Sequence, residues 1–172
     1  MNINDDQDVD MLFFVTAHEI AHQWWGMQLE AANVQGQNMI LETLSQYSAL
    51  MAFKQKYSDE KVQQLLKYQL DKYTEGKTRS ENEEIPLATV DDQGHIYYNK
   101  GALIMHKLQE AIGEGNINLA LQNFLRDWRS DNPKRPDHYA TTRELLHYFR
   151  DVTPDSTQYL IADLFEKVYD LD

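Results

Sequence analysis

Two histidines and a glutamate stand close together in the sequence His18-Glu19-Ile20-Ala21-His22, inside an apolar stretch that favours a helix. Residues four apart on a helix lie on the same face, with β-carbons about 5–6 Å apart. Both imidazoles can therefore bind one zinc ion at nitrogen distances of about 2.0–2.1 Å. Glu19 is rotated about 100° from His18 around the helix axis, which places its carboxylate beside a water on the metal. The spacing predicts a zinc-dependent hydrolase with one zinc ion per chain.

The chemistry of such a site depends on that water. Zinc lowers the pKa of a bound water to about 7. The Glu19 carboxylate can then take the proton as a general base and pass it to a leaving amine.

A catalytic zinc site usually has three protein ligands and one open position, so a third ligand is needed. Glu42 is the preferred candidate because it lies in the first turns of a predicted second helix, among apolar residues. A carboxylate is costly to bury there unless it is paired or bound to a metal. Glu30, in the segment between the two helices, is the alternative ligand.

The segment from His18 to Gly26 resembles the zinc helix of the aminopeptidase N family of gluzincin metallopeptidases. Glu42 stands where that family has its glutamate ligand, and Tyr98-Asn99-Lys100-Gly101 matches the segment with the family's catalytic tyrosine. The resemblance covers residues 9–108. It implies a mainly α fold, the helical lobe of a thermolysin-like (gluzincin) metallopeptidase catalytic domain.

The resemblance also implies a role for each matching residue. His18, His22 and Glu42 would bind zinc, and Glu19 would be the general base. Tyr98 would stabilise the oxyanion, since a phenol fixed in place before the reaction can donate to the developing charge. Tyr97, next to it in the sequence, is the competing tyrosine.

The surroundings of Glu42 depart from the family pattern. Nineteen residues separate His22 from Glu42, one more than is usual in the family. Leu41-Glu42-Thr43-Leu44-Ser45 replaces the family's usual Asn-Glu-Gly-Phe-Ala. Gln46, one turn after Glu42, is placed to hydrogen-bond the Glu42 carboxylate and orient it.

The family's Gly-x-Met-Glu-Asn motif, which binds the free amine of the substrate from a sheet lobe before the zinc helix, does not occur in this sequence. We therefore expect residues 1–172 to form a single helical domain, a fragment of a longer peptidase without its sheet lobe. The expected activity is zinc-dependent peptide hydrolysis, as an aminopeptidase in the parent protein. One alternative is a zinc endopeptidase. The other is a non-catalytic, zinc-bearing interaction module of a membrane-associated protein, because peptidase domains with a segment similar to residues 42–48 are often joined to permease-like membrane segments.

The composition narrows the set of partners. The formal net charge of −12 argues against nucleic acid, because phosphate binding needs clustered Lys and Arg. The first residues lack the regions of a signal peptide, and no run of 18 apolar residues exists, so we expect no membrane contact by this segment. The absence of cysteine excludes disulfides and thiolate metal ligands. The expected partner is a peptide substrate.

The periodicity of apolar residues predicts helices along nearly the whole chain. The first runs from about Val9 to Trp25 and ends at Gly26, and the second runs to about Tyr57. Ser58 is the predicted N-cap of the third. A later helix is predicted over Asn99–Ile112, and the next one follows an N-cap at Asn116. Another helix follows a capping box at Thr141-Thr142-Arg143-Glu144. The last helix is predicted from Pro154 onward, with these residues buried: Ile161, Leu164, Phe165 and Val168.

Residues 75–97 interrupt this pattern with glycines and a proline, and we expect a loop there that brings Tyr98 to the zinc. The acidic clusters 81–84, 91–92 and 170–172 are expected on the solvated surface. At least one of Trp24 and Trp25 is expected in the core. The histidines without a partner at ligand spacing are predicted to be surface or packing residues: His95, His106, His138 and His147.

Overall fold

The structure is a computed structural model that describes residues 9–134 and 139–171. Helices dominate it, so the predicted mainly α fold is confirmed. Within the described residues, extended pairing is limited to two isolated bridges, Trp25 with Leu29 and Ala31 with Ala140. The α-helices are α1 Met11–Ala21, α2 Leu44–Lys56, α3 Asp59–Arg79, α4 Gly101–Ile112, α5 Glu114–Trp128, α6 Thr142–Val152 and the short turn α7 Tyr159–Ile161. Three π-helices, Met39–Thr43, His95–Lys100 and Ala162–Glu166, and two 3-10 turns, Leu87–Thr89 and Asp155–Thr157, connect them.

Helix α1 begins with a side-chain cap and ends earlier than the sequence suggests. The Asp10 carboxylate accepts a hydrogen bond from the Phe13 amide at 2.9 Å, which satisfies one of the free amides of the first turn. The helix ends at Ala21 rather than Trp25, because the chain then turns through Gly26, which has a φ of +130°. Trp25 is buried and Trp24 is exposed, so one of the two tryptophans belongs to the core, as expected.

Most of the buried apolar side chains in the described residues form two clusters. The smaller one joins α1 to α2 and α3, and the larger one joins α2 to the C-terminal half of the chain. The buried members of the smaller cluster are Phe14, Ala49, Leu50, Phe53, Val62 and Leu65. The end of α1 and the start of α2 contribute to the larger cluster, so the segment that carries the candidate site is packed from both sides.

Helix α3 continues through Gly76 to Arg79, so the predicted interruption at residue 75 is wrong. Gly76 marks a close approach between segments and not a helix end, since a β-carbon there would collide with the side chain of His95. A glycine inside a helix is destabilising by roughly 0.5–1 kcal/mol relative to alanine, and here it makes room for the segment before Tyr98. Tyr98 itself lies inside the π-helix His95–Lys100 and not at the end of a loop.

Two further boundaries differ from the prediction. Helix α5 begins at Glu114 after Gly113, and Asn116 lies inside it with its side chain donating to the Ile112 carbonyl. Asn116 is therefore not the N-cap. Near the C-terminus, Ile161, Leu164 and Phe165 are buried as predicted, but Val168 is exposed because the last helical turn ends at Glu166.

The capping box before α6 is present, with the Thr141 amide donating to Glu144 at 2.9 Å. No helix in the described ranges is long and apolar enough to cross a bilayer. His138 and the last residue of the acidic cluster 170–172 lie outside the described residues.

Candidate functional site

Three side chains from two segments converge on one point. His18 lies in α1, His22 directly follows α1, and Glu42 lies in the π-helix Met39–Thr43. The Nε2 atoms of the two histidines are 3.2 Å apart, and Oε2 of Glu42 lies 3.3 Å from His18 Nε2 and 3.6 Å from His22 Nε2. No other group of three potential metal ligands converges in this way among the residues that the structure describes.

The separations of these three atoms fit a zinc ion. Ligand atoms on a tetrahedral zinc ion with bonds of about 2.0–2.1 Å lie roughly 3.3–3.4 Å from one another. Two imidazole nitrogens and one carboxylate oxygen are also a typical ligand set of catalytic zinc. Oε2 of Glu42 is buried, and apart from the two histidine nitrogens it has no partner in the described part of the chain. Since buried acceptors are rarely left unpaired, this oxygen is suited to bind a cation.

His22 is held in the tautomer that a metal ligand needs. Its Nδ1 lies 3.0 Å from the carbonyl oxygen of Trp25, which can only accept, so Nδ1 carries the hydrogen. The lone pair of Nε2 then faces His18 and Glu42. The hydroxyl oxygen of Ser45 lies 3.2 Å from the same Nδ1 and donates its own hydrogen to the Leu41 carbonyl.

The Glu42 carboxylate is ionised in this environment. Burial by itself would raise the pKa of Glu42, but the imidazoles of His18 and His22 outweigh burial and hold that pKa below its ordinary value. An ionised carboxylate is the form that binds a metal. Glu30, the alternative ligand, is exposed and outside this group.

A cleft of about 410 Å³ opens beside the three side chains. Glu19 and Tyr98 both line it, so the structure brings the two residues with predicted catalytic roles to the side of the predicted ligands. The lining residues are Met11, Phe14, Val15, His18, Glu19, Gln46, Tyr68, Gln69, Lys72, Tyr98 and Asn99.

The two adjacent tyrosines occupy different surroundings. The ring of Tyr98 lies 5.9 Å from the ring of His18, whereas Tyr97 packs against the larger apolar cluster. Burial, followed by the negative charge of Glu42, raises the pKa of Tyr98 to about 12. Its phenol therefore remains protonated at neutral pH and can donate a hydrogen bond into the cleft.

Gln46 does not bind Glu42 as the sequence suggested. Its Oε1 is buried and has no hydrogen-bond partner among the described residues. Gln46 instead lines the cleft together with His18. The Gln46 Nε2 group, which would be the donor to the Glu42 carboxylate, forms no hydrogen bond with Glu42 among the described residues.

Sequence reasoning did not single out Thr43, which joins the two sides of the site. Its hydroxyl donates to the Tyr97 carbonyl at 2.6 Å. The same side chain packs against Gly101, where an added β-carbon would come within 2.5 Å of the Thr43 hydroxyl oxygen. The glycine of the Tyr-x-Lys-Gly segment thus permits close contact with the residue after Glu42. The replacement of the family's usual glycine by Thr43 was the available signal.

Lys100 was also missed, and it anchors the π-helix that carries Tyr98. Its buried ammonium donates to the Glu84 carboxylate and to the Tyr169 carbonyl. Tyr73 in α3 donates to the other oxygen of Glu84 at 2.7 Å. The prediction that residues 81–84 are all solvated is therefore wrong for Glu84, because a buried cation pairs with it.

Comparison with known proteins agrees with this geometry. A sequence model of the peptidase family M1 domain matches residues 2–155. The chain belongs to peptidase family M1. This confirms the predicted relationship to the aminopeptidase N family, whose general activity is metal-dependent hydrolysis of peptides. No curated protein matches the M1 chain.

A solved M1 zinc metallopeptidase from Deinococcus radiodurans, bound to a Tyr-Ser-Ala substrate, has a similar fold. The TM-score is 0.68 at 17% sequence identity, and the match covers 91% of this chain and 34% of that chain. The present chain thus spans about a third of the length of the solved peptidase. The match confirms the helical-lobe fold.

Proposed function

We propose that this M1 chain holds the zinc-binding half of a peptidase active site, in a longer protein that acts as an aminopeptidase. The observation that supports it is the convergence of His18 Nε2, His22 Nε2 and Glu42 Oε2 within 3.2–3.6 Å of one another. Glu19 and Tyr98 line the cleft at the same point. One zinc ion would bind per chain.

In this proposal the three ligands hold the metal and two further residues carry out proton transfer and charge stabilisation. A zinc ion held by these ligands would supply Lewis-acid chemistry, polarising the scissile carbonyl and lowering the pKa of the attacking water. Glu19 takes a proton from that water and delivers it to the leaving amine. Tyr98 donates a hydrogen bond to the oxygen on which negative charge develops.

The exposed apolar surface of α1 is an argument for a second lobe in the longer protein. Leu12, Val15 and Ile20 are exposed on α1 around Glu19, and Trp24 and Met27 continue this apolar surface beyond the helix. Large exposed apolar patches mark interaction surfaces. We propose that a sheet lobe of the longer protein covers this surface and binds the free amine of the substrate.

The test combines metal analysis with one substitution. Elemental analysis should give about one zinc per chain. Glu19→Gln should keep the zinc, because Glu19 is not a ligand, and should abolish hydrolysis by the longer protein. Glu110→Gln, on the exposed surface of α4, is the matched control and should leave both unchanged. Undiminished hydrolysis by the Glu19 variant would contradict its role.

A second measurement tests the aminopeptidase assignment. The longer protein should hydrolyse peptides with a free amine faster than their N-acetylated forms. Equal rates would contradict an aminopeptidase and leave the metallopeptidase assignment in place.

A further inference from the structure

The Nδ1 atoms of the two histidines differ in their surroundings. Nδ1 of His22 lies 3.0 Å from the Trp25 carbonyl, whereas Nδ1 of His18 is buried and has no hydrogen-bond partner in the residues described. Oε1 of Gln46 is likewise buried and unpaired within the same residues. His18 is 8% and Gln46 9% exposed. Because buried polar atoms are nearly always paired, two unpaired atoms on one wall of the cleft require a reason.

The packing of α1 against α2 places Gln46 beside His18. Glu42, one turn before Gln46, lies 3.3 Å from His18. Leu50, one turn after Gln46, belongs to the same apolar cluster as Phe14, which is one turn before His18. Gln46 therefore faces the turn between Phe14 and His18. A helical side chain leans toward the N-terminus of its helix, so the His18 ring leans toward this turn.

The positions of the imidazole hydrogens leave Nδ1 of His18 without a hydrogen to donate in the described structure. His22 carries its hydrogen on Nδ1, so its Nε2 is an acceptor. Nε2 of His18 lies 3.2 Å from that acceptor and 3.3 Å from the Glu42 carboxylate, so it carries a hydrogen toward them, which leaves Nδ1 of His18 as an acceptor. An acceptor nitrogen cannot form a hydrogen bond with the Gln46 amide oxygen, which is an acceptor too.

We propose that Gln46 is a positioning residue of the metal centre, and that its Oε1 accepts a hydrogen bond from Nδ1–H of His18 when His18 Nε2 binds zinc. This inference rests on the proposed zinc site. A neutral imidazole that uses Nε2 as a ligand carries its hydrogen on Nδ1. Nδ1 thereby becomes a donor beside an unpaired acceptor. Such partners fix the ring of a ligand histidine and increase its basicity.

The experiment measures zinc affinity of the full chain by competition with a chromophoric chelator. Gln46→Leu removes the acceptor at similar size and should weaken zinc binding about 10–100-fold. Gln46→Glu keeps an acceptor oxygen and should restore an affinity near that of the wild type. Gln64→Leu is the matched control, since Gln64 also has a buried Oε1 unpaired among the described residues but lies on α3 outside the cleft lining. It should bind zinc like the wild type.

Two further measurements distinguish a positioning role of Gln46 from a general loss of folding stability. The zinc-free Gln46→Leu chain should be at least as stable to urea as the wild type, because an unpaired buried oxygen has been removed. In the zinc-loaded wild type, NMR should detect a slowly exchanging hydrogen on His18 Nδ1, and this signal should be lost in Gln46→Leu.

The outcomes distinguish the inference from the site on which it rests. Equal zinc affinities of Gln46→Leu, Gln64→Leu and the wild type would overturn the role of Gln46 and leave the metal site intact. Loss of affinity together with loss of urea stability in Gln46→Leu would also overturn it. Zinc binding that His22→Ala does not weaken would overturn the proposed metal site itself, and the role of Gln46 with it.

Discussion

Neighbouring groups shift the pKa values of two side chains in the cleft in opposite directions. The imidazoles of His18 and His22 keep Glu42 ionised despite its burial, with a lowered pKa. Burial and the charge of Glu42 together raise the pKa of Tyr98 to about 12 and keep its phenol protonated. These protonation states are the ones that the proposed roles need: an anion to bind a metal and a neutral donor for a developing negative charge.

Replacement of Tyr98 tests this at the residue scale. In the longer protein, Tyr98→Phe should lower kcat/KM about 10²–10³-fold, the usual effect of losing one donor to the developing charge. Zinc content should not change, because Tyr98 is not a ligand. Because the pKa of Tyr98 is raised, the phenol should stay protonated and the wild-type rate should not fall between about pH 7 and 10 through this group. Tyr97→Phe is the control, and equal losses in the two variants would contradict the assignment.

Two short π-helices, rather than the long α-helices, position the residues that come from outside α1. Met39–Thr43 carries Glu42, and His95–Lys100 carries Tyr98. Such turns are rare and frequently occur at functional sites. The hydroxyl of Thr43 and the close contact of Gly101 with Thr43 join the two segments. The distance between Glu42 and Tyr98 therefore depends on how these two elements pack.

The packing of these elements predicts the effect of an added methyl group. Gly101→Ala should destabilise the chain by about 1–3 kcal/mol, because its β-carbon would overlap the Thr43 side chain. Adding Thr43→Ala should recover part of that loss, since it makes room for the methyl group. The free energy of unfolding in urea measures both changes.

Gly115 in α5 provides the matched control for this pair. A β-carbon at Gly115 would meet no atom within 4 Å, so Gly115→Ala should stabilise the chain by up to about 1 kcal/mol. If Gly101→Ala is no more destabilising than Gly115→Ala, the close contact at Thr43 is contradicted.

At the scale of the whole molecule, the candidate metal site lies where two apolar clusters meet. Phe14 and Phe53 belong to the smaller cluster, and Ala21 and Ile40 belong to the larger one. The buried pair of Lys100 with Glu84 connects the Tyr98 segment to α3 and to the C-terminal segment at Tyr169. An ion held by His18, His22 and Glu42 would therefore tie distant parts of the chain together.

Zinc should accordingly stabilise the fold. A ligand that binds only the folded chain adds about 2.7 kcal/mol at a free concentration 100 times its Kd. For a chain of this size that corresponds to a Tm increase of roughly 5–10 °C, measured by thermal unfolding with and without zinc. His22→Ala should remove the increase, because it removes a ligand. The same increase in that variant would show that zinc acts elsewhere.

Local features of the sequence were predictable because they depend on residues that are near one another in the chain. The helical repeat alone places His18 and His22 on one face, and the capping box at Thr141 and Glu144 involves one turn of helix. The mainly α fold followed from apolar periodicity. The Tyr-x-Lys-Gly segment could be matched to a family from the sequence. The structural roles of its lysine and glycine could not be predicted.

Other features were decided only by contacts between distant segments. The need for glycine at position 76 inside α3 depends on the approach of His95, and the burial of Glu84 depends on Lys100. The sequence alone determined that two imidazoles and one carboxylate stand at the spacing of a metal-dependent hydrolase. Tertiary packing decided that Glu42 rather than Glu30 joins them, and that Gln46 faces His18. The physical reason is that a helix fixes the directions of its own side chains, whereas long-range packing selects the groups that meet them.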